Sequence, residues 1–310
     1  MSKCRSVFGL FVFGMAMLFI ISCQTGTVEL NIDDSVKSED SSPVFPIFLT
    51  NSDETQTILK QSPKRMVVFD AAAVEILFEI GEEDRIVGTH EFVVYPIEVE
   101  KIAKVGDAFN MNFEEVLDKD PDLVFTFFSR FVPELKQLGL SVLYVDSLDT
   151  DIDSVMEHFR LWGLILGKSE RAEKEIYEFE ERLDRVKEAL VDIEKGPRVY
   201  HHTMDYWTPG GDTLLGSIYK LLKADLITDD MKGYSQVNLE YIVERDPEVI
   251  VSPENSTEQI IDNPAIRRSA AVLNERVVIY DEDLLSIAGP RLIDGIEELA
   301  RLLYPNRFRD

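Results

Sequence analysis

Seven side chains of this sequence lie in loops that follow predicted strands, where a bound molecule would meet them. Aromatic rings suit a large planar or apolar ligand, and arginines suit carboxylates or another negative charge. The candidate ligand-binding residues are His90, Tyr95, Phe109, Arg130, Tyr206, Trp207 and Arg291. A purely structural use is open for each, since Tyr95 or Trp207 could pack its own loop and Arg291 could cap a carbonyl.

The histidines do not suggest a metal centre. His201 and His202 are adjacent in a predicted strand, where neighbouring side chains face opposite sides, so at most one could point into a site. The chain has only four histidines, which argues against a histidine-rich zinc or manganese site. No Ser-His-Asp or nucleophile-elbow pattern is present, and we expect no enzyme, no catalytic residue and no bound metal of the protein's own.

Three further motifs resemble known sites only in part. The run from Gly163 to Ser169 is one residue short of a P-loop and lies between two helical stretches. The aspartates at 149, 151 and 153 lack the central glycine and final glutamate of a calcium loop. Gly210 and Gly211 precede a predicted helix and could cradle an anion, which leaves a molybdate-like oxyanion open as a minor alternative.

Two stretches of the chain repeat one pattern without gaps, at 112–125 and 238–251. Each begins with a helix-capping asparagine, continues as a short helix, breaks at Asp-Pro and enters a β-rich run. Glu114 and Glu240 occupy the same place, second after the asparagine. One repeated unit in each half predicts two lobes of similar architecture.

A long helix is predicted between the halves, from Ser169 to Val191, without proline or glycine. Its apolar residues recur at steps of three and four and form one narrow seam, at Ala172, Ile176, Phe179, Leu183, Val186 and Leu190. A helix of about 35 Å could lie along both lobes. An ordinary surface helix of one domain is the alternative.

Strands alternate with helices on both sides of this helix, which predicts parallel sheets. The expected fold is therefore α/β, with two Rossmann-like lobes joined by a single long α-helix. The predicted divisions are a signal peptide at 1–22, a flexible tether at 23–61, an N-terminal lobe at 62–168, the interlobe helix at 169–195 and a C-terminal lobe at 196–310.

The first residues indicate export. Lys3 and Arg5 precede an apolar run that is short for a membrane span, as in a secretory signal. Residues 20–23, Ile-Ile-Ser-Cys, resemble the bacterial lipobox, with isoleucine where leucine is more usual. We expect Cys23 to be lipidated and the protein to be anchored to the cell envelope, in the periplasm or on the outer surface of the cytoplasmic membrane. A cysteine that merely follows a signal is the alternative.

The chain is strongly acidic, with a formal net charge of −26. That excess argues against nucleic acid and other polyanionic partners. The acidic and serine-rich residues after Cys23 are typical of a flexible linker.

Several short motifs, in this order behind a lipobox, resemble one transport family over residues 63–305. They are the Ala-Ala-Ala-Val-Glu-Ile-Leu opening at 71–77, Tyr95-Pro96, Val105-Gly106, the two repeated asparagine units, the long helix, the run from Gly210 to Gly216, and Gly289-Pro290-Arg291. The sequence is similar to the substrate-binding lipoproteins of ABC importers for cobalamin, iron-siderophores and haem, the class III or helical-backbone binding proteins.

The resemblance implies a monomer that holds a metal chelate in a shallow cleft between lobes and delivers it to an ABC permease dimer with its ATPase. The ligand would be an iron-siderophore, a corrinoid or haem, and Tyr95 or His90 could be an axial ligand to haem iron. Glu114 and Glu240 match the glutamates that dock on permease arginines. Alternatively, both only stabilise helix N-termini.

Two other functions remain open at this point. A two-lobed enzyme such as a glycosyltransferase would need nucleotide-sugar donors, which are absent outside the cell. A surface lipoprotein that serves protein contacts would bind no small molecule.

Overall fold

The computed structural model describes residues 43–146 and 151–308. The predicted signal peptide, Cys23 and the first part of the predicted tether lie outside these ranges. Within them, no helix is long and apolar enough to cross a membrane.

The described chain begins with an antiparallel hairpin of β1 (Ile47–Thr50) and β2 (Gln56–Leu59). Leu49 and Leu59 are buried in the main core, and the Ser52 amide donates to the Tyr144 carbonyl at 3.0 Å. The prediction of a flexible tether up to residue 61 is therefore wrong over this hairpin. Burial alternates along both short strands, but the residue types Ile-Phe-Leu-Thr and Gln-Thr-Ile-Leu do not, so no period-two pattern in the sequence indicated them.

The first lobe contains a four-stranded parallel sheet. The elements of the first lobe are β3 (Met66–Phe69), α1 (Ala71–Glu79), β4 (Ile86–Gly88), β5 (Gly106–Asp107), β6 (Asn110–Met111), α2 (Phe113–Asp118), β7 (Leu123–Thr126), α3 (Val132–Gln137), β8 (Val142–Tyr144) and α4 (Asp153–Leu166). The strand order is β4-β3-β7-β8, and β3 and β7 are buried along their whole length. Helices cover both faces of such a sheet, which explains the continuous apolar runs.

The long helix α5 (Ser169–Ala189) follows. Its predicted apolar seam is confirmed, because Ala172, Ile176, Phe179, Leu183, Val186 and Leu190 are all buried in the main core. A Cβ atom on Gly163 of α4 would lie only 2.7 Å from the Ala172 Cβ. The glycine of the incomplete P-loop therefore allows α4 and α5 to pack closely.

Charged side chains join α5 to both lobes. Arg171 donates to the Glu79 carbonyl at the end of α1, at 3.2 Å. Arg182 donates to the carboxylates of Asp294 and Glu297, at 2.6 and 2.8 Å, on the last helix of the chain. The prediction of one helix that connects two lobes is thus confirmed.

The second lobe repeats the plan of the first. Its elements are β9 (Arg198–His201), β10 (Trp207–Pro209), α6 (Leu214–Leu221), β11 (Asp225–Leu226), β12 (Tyr234–Gln236), α7 (Leu239–Arg245), β13 (Val249–Pro253), α8 (Thr257–Ile261), α9 (Ala270–Leu273), β14 (Val277–Tyr280), α10 (Glu282–Leu285) and α11 (Leu292–Leu303). The order β11-β9-β13-β14 is again parallel throughout.

The repeated sequence unit forms the same structure in both lobes. Asn112 accepts from the Glu115 amide at the start of α2, and Asn238 accepts from the Tyr241 amide at the start of α7. Asp120 and Asp246, which precede the prolines, both adopt a left-handed backbone conformation with φ of 47° and 43°. Aspartate tolerates that conformation better than most residues, so it ends each helix before the strand begins.

Candidate functional site

The two lobes are joined across the cleft by an ion pair. The Arg291 guanidinium, just before α11, donates from Nη2 to Glu75 Oε1 at 2.6 Å and from Nε to Oε2 at 3.2 Å. Glu75 lies on α1 of the first lobe, and its side chain is only 3% exposed. Such a bidentate contact fixes the relative position of the guanidinium and the carboxylate. Arg291 therefore holds the lobes together, and its contact with a ligand stays a prediction.

Burial raises the pKa of Glu75, while the hydrogen bond and charge of Arg291 act in the opposite direction. The nearby Asp283 carboxylate raises it further. Arg291 therefore favours the charged form of Glu75 against the effects of burial and of Asp283.

The ring of Tyr95 stacks on the guanidinium group of Arg291, whose carbon atom lies 3.8 Å from the ring centre. The ring is 45% exposed and borders a groove of about 610 Å3 that both lobes line. Acidic residues dominate the wall of this groove, at Glu75, Glu79, Glu83, Asp84 and Glu98, with Lys101 and Arg291 as the basic members. The sequence analysis predicted Tyr95 and Arg291 separately, one in each lobe, and did not predict their contact with each other or with Glu75.

Phe109 and Arg130 meet at the carboxyl edge of the first sheet. The Arg130 guanidinium stacks on Phe128, 4.6 Å from the ring centre, and donates to the Phe109 carbonyl. Phe109 is 60% exposed at the turn between β5 and β6, where the Asp107 carboxylate accepts from its amide. The result is an exposed aromatic surface on the first lobe.

Sequence reasoning missed other apolar residues of this edge. Phe92 and Val94 are exposed in the loop that carries Tyr95, and the rings of Phe127 and Phe128 pack at 4.1 Å. The runs Phe-Val-Val-Tyr and Phe-Phe-Ser-Arg-Phe were the available signal, because exposed loops seldom carry so many apolar residues.

His90 does not face an open cleft, and its contact with a ligand stays a prediction. Its side chain is buried, with the ring edge-on to Phe69 at 5.2 Å between centres. Burial lowers its pKa to about 4, so the ring is neutral at physiological pH. His90, which follows β4, is therefore packed against the core of the first lobe.

Tyr206 and Trp207 lie in the second lobe, at the start of β10, which pairs antiparallel with β12. The Tyr206 hydroxyl accepts from the Asn263 amide at 2.9 Å, and its ring packs on His202. Tyr206 also has a left-handed φ of 61°, which is strained for a bulky residue. Trp207 is 40% exposed and is the more accessible ring of the two.

The Gly210-Gly211 pair serves packing. The Gly210 amide donates to the Gly233 carbonyl at 2.8 Å, and a Cβ atom at Gly210 would overlap the Met231 carbonyl. The first of the two amides is thus already used within the protein, which weakens the alternative of an oxyanion cradle.

Both adjacent histidines are buried and hydrogen-bonded, as the predicted structural use requires. His201 contacts the hydroxyls of Tyr219 and Tyr280, and His202 contacts Ser252. Burial lowers their pKa to about 3 and about 4, respectively. Among the described residues, no group of three or more His, Cys, Asp or Glu is placed to hold a metal ion.

Glu114 and Glu240 are exposed in the first turns of α2 and α7. Their equivalent places in the two lobes agree with both interpretations of the pair, docking and helix stabilisation. The docking role stays a prediction.

Comparison with known proteins agrees with this architecture. A model of the periplasmic binding protein family matches residues 66–284. An uncharacterised ABC transporter substrate-binding lipoprotein of Bacillus subtilis is 29% identical over 88% of this chain and 90% of its own length. A cobalamin-binding protein of Halobacterium salinarum is 25% identical over 84% of this chain and 74% of its own.

A solved structure has the same fold. A possible iron-binding, periplasmic solute-binding protein of Staphylococcus epidermidis superposes with a TM-score of 0.69 at 27% identity, over 79% of this chain and all of its own. The family match covers most of the sequence and both lobes, and the chain belongs to the periplasmic binding protein family.

Proposed function

We propose that this protein is the substrate-binding component of an ABC importer. It binds a metal chelate of the iron-siderophore, cobalamin or haem type between its lobes and delivers it to the membrane permease. The observation that carries the proposal is the pair of parallel-sheet lobes, joined by one helix, whose facing loops expose Tyr95, Phe109 and Trp207. Large planar chelates bind such rings well.

The relatives support the same class of function. One is named as an ABC transporter substrate-binding lipoprotein and another as a cobalamin-binding protein. Family membership and the absence of catalytic motifs in the sequence argue against the enzyme alternative. The contact-lipoprotein alternative predicts no small-molecule binding.

The contacts of α5 with both lobes and the Glu75–Arg291 pair between the lobes explain how binding would proceed. Arg171, Arg182 and the Glu75–Arg291 pair hold both lobes in one arrangement, so the cleft is largely formed before the cargo arrives. A preformed site loses little conformational freedom on binding.

Cargo binding is expected to raise the melting temperature of the soluble body, residues 24–310. At a hundred times its dissociation constant, a ligand stabilises the folded state by about 2.7 kcal/mol. For a protein of this size we expect a shift of roughly 5–10 °C. The measurement is a thermal-shift screen with cyanocobalamin, haemin, ferric siderophores and oxyanions. A screen without any shift would favour the contact-lipoprotein alternative.

The lipid anchor has its own test. Radiolabelled palmitate should label the wild-type chain and leave Cys23→Ala unlabelled, and only the wild type should sediment with membranes. Cys4→Ala is the matched control, because it removes the other cysteine and should keep the label. Equal labelling of Cys23→Ala would exclude this anchor.

A further inference from the structure

His201, the last residue of β9, lies between two phenols inside the second lobe. Its Nδ1 is 2.7 Å from the Tyr219 hydroxyl, and its Nε2 is 2.9 Å from the Tyr280 hydroxyl. His201 and Tyr219 are completely buried, and Tyr280 is 6% exposed. The proposed function does not use this chain of hydrogen bonds.

The ring of His201 is neutral, because burial lowers its pKa to about 3. A neutral imidazole has one N–H donor and one acceptor nitrogen. One phenol must therefore donate to the ring, and the other must accept from it. Two arrangements are possible, and they give Tyr280 opposite roles.

Tyr219 decides between the two arrangements. Burial raises the pKa of this phenol well above its usual value, so the hydroxyl keeps its proton. A buried hydroxyl needs an acceptor, and His201 Nδ1 is the acceptor that the structure places within hydrogen-bond distance. Donation from Tyr219 to Nδ1 puts the imidazole proton on Nε2. That proton is then donated to the oxygen of Tyr280.

Tyr280 ends β14 and lines a cavity of about 370 Å3 in the second lobe, with Thr203 and Ser286. Its oxygen accepts from His201, and burial raises its pKa. The hydroxyl proton is thus retained, and a molecule that enters the cavity, which Tyr234 also lines, can accept it. Successive hydrogen bonds in one direction also strengthen each other.

The charge of the cavity limits what can accept that proton. Glu282 and Asp283 line it as well, and a carboxylate of the ligand would be repelled by them. A carbonyl or carboxamide oxygen carries no charge and accepts equally well. The cavity therefore favours a neutral oxygen acceptor.

We propose that Tyr280 is a specificity residue that donates a hydrogen bond to a neutral carbonyl or carboxamide oxygen on the rim of the cargo. His201 and Tyr219 are positioning residues, which set the direction of that donor. This proposal rests on the proposed function for the cargo, although the hydrogen-bond direction can be measured without one.

The first test is the tautomer of His201, read from nitrogen chemical shifts of the 15N-histidine-labelled mature chain. A proton on Nε2 is expected in the wild type. Tyr219→Phe removes the donor to Nδ1 and should move part of the proton there. A wild-type proton on Nδ1 would overturn the proposal, whatever the cargo.

The second test is affinity for the chelates, with cyanocobalamin and ferrioxamine as probes with neutral oxygens and haemin as the carboxylate probe. Tyr280→Phe should weaken binding about tenfold, the usual effect of one hydrogen bond. Tyr219→Phe should weaken it by a smaller factor, and the double variant should bind no worse than Tyr280→Phe. Tyr200→Phe is the matched control, since that buried hydroxyl has no hydrogen-bond partner in the described structure.

The two proposals fail in different ways. If the wild type binds no probe, the proposed function is contradicted, and the His201 tautomer still decides the direction of the chain. If a probe binds and Tyr280→Phe binds it equally well, the specificity role is overturned. Binding of haemin alone would overturn the neutral-acceptor assignment.

Discussion

Arg291→Met is expected to destabilise the protein by about 3–5 kcal/mol, because it leaves the Glu75 carboxylate buried and unpaired between the lobes. Removal of one partner of a buried ion pair costs more than removal of both. Glu75→Leu combined with Arg291→Met should therefore recover most of the lost stability. Urea unfolding of the two variants measures the difference.

The stability that Arg291→Met loses should depend on pH. Burial raises the pKa of Glu75, and without Arg291 the opposing contributions disappear, so the folded-state pKa rises further above the unfolded value. A raised folded-state pKa means that protonation favours folding. Arg291→Met should be least destabilised near pH 4 and progressively more so as pH rises through neutrality. The double variant should lack this dependence.

Arg301→Met, on the helix α11 that Arg291 directly precedes, is the matched control. Arg301 is 52% exposed and pairs with Glu297 at 3.4 Å, so its loss should cost less than about 1 kcal/mol at any pH. Equal losses for Arg291→Met and Arg301→Met would show that the interlobe pair contributes no more than a surface pair.

Glu114→Ala combined with Glu240→Ala is expected to abolish import while cargo binding stays at the wild-type level. Loss of a charged contact at an interface costs roughly 2 kcal/mol or more, so two such losses should weaken docking by a hundredfold or more. Each single variant should have an intermediate and similar effect, because the residues hold equivalent places in the two lobes. Uptake of labelled cargo and affinity for the permease are the measurements.

Asp118 and Glu244 provide the control for this pair. They are equivalent in the repeated unit and exposed, at the last residue of α2 and near the end of α7. Alanine at both removes the same charge and should leave import unchanged. Wild-type import by the Glu114/Glu240 variant would leave only the helix-stabilising role, worth about 0.3–1 kcal/mol for each residue.

The sequence predicted the elements that depend on local pattern. The seam of α5 follows from residue spacing alone, and the repeated asparagine units follow from caps and Asp-Pro breaks, which act within a few residues. The two parallel sheets follow from the alternation of strands and helices. The caps, the Asp-Pro breaks and the apolar seam each lie within about 20 residues of chain, and the alternation is a succession of such local signals.

The contacts that shape the cleft join distant parts of the chain, and no local pattern encodes them. Glu75 and Arg291 are 216 residues apart, so the ion pair could not be predicted from either segment. The burial of His90 depends on Phe69, which lies on the neighbouring strand β3. Tyr280 had no distinguishing motif, and only the fold brings it to His201.

We expect the close packing of α4 on α5 at Gly163 and the two arginine contacts of α5 to keep the lobes at a nearly constant angle. The distance between the starts of α2 and α7 then changes little when cargo enters. A partner can discriminate loaded from empty protein only through a difference in binding free energy. On the proposed docking mode, the empty form would compete for the same receptor, so an excess of unloaded protein would slow import.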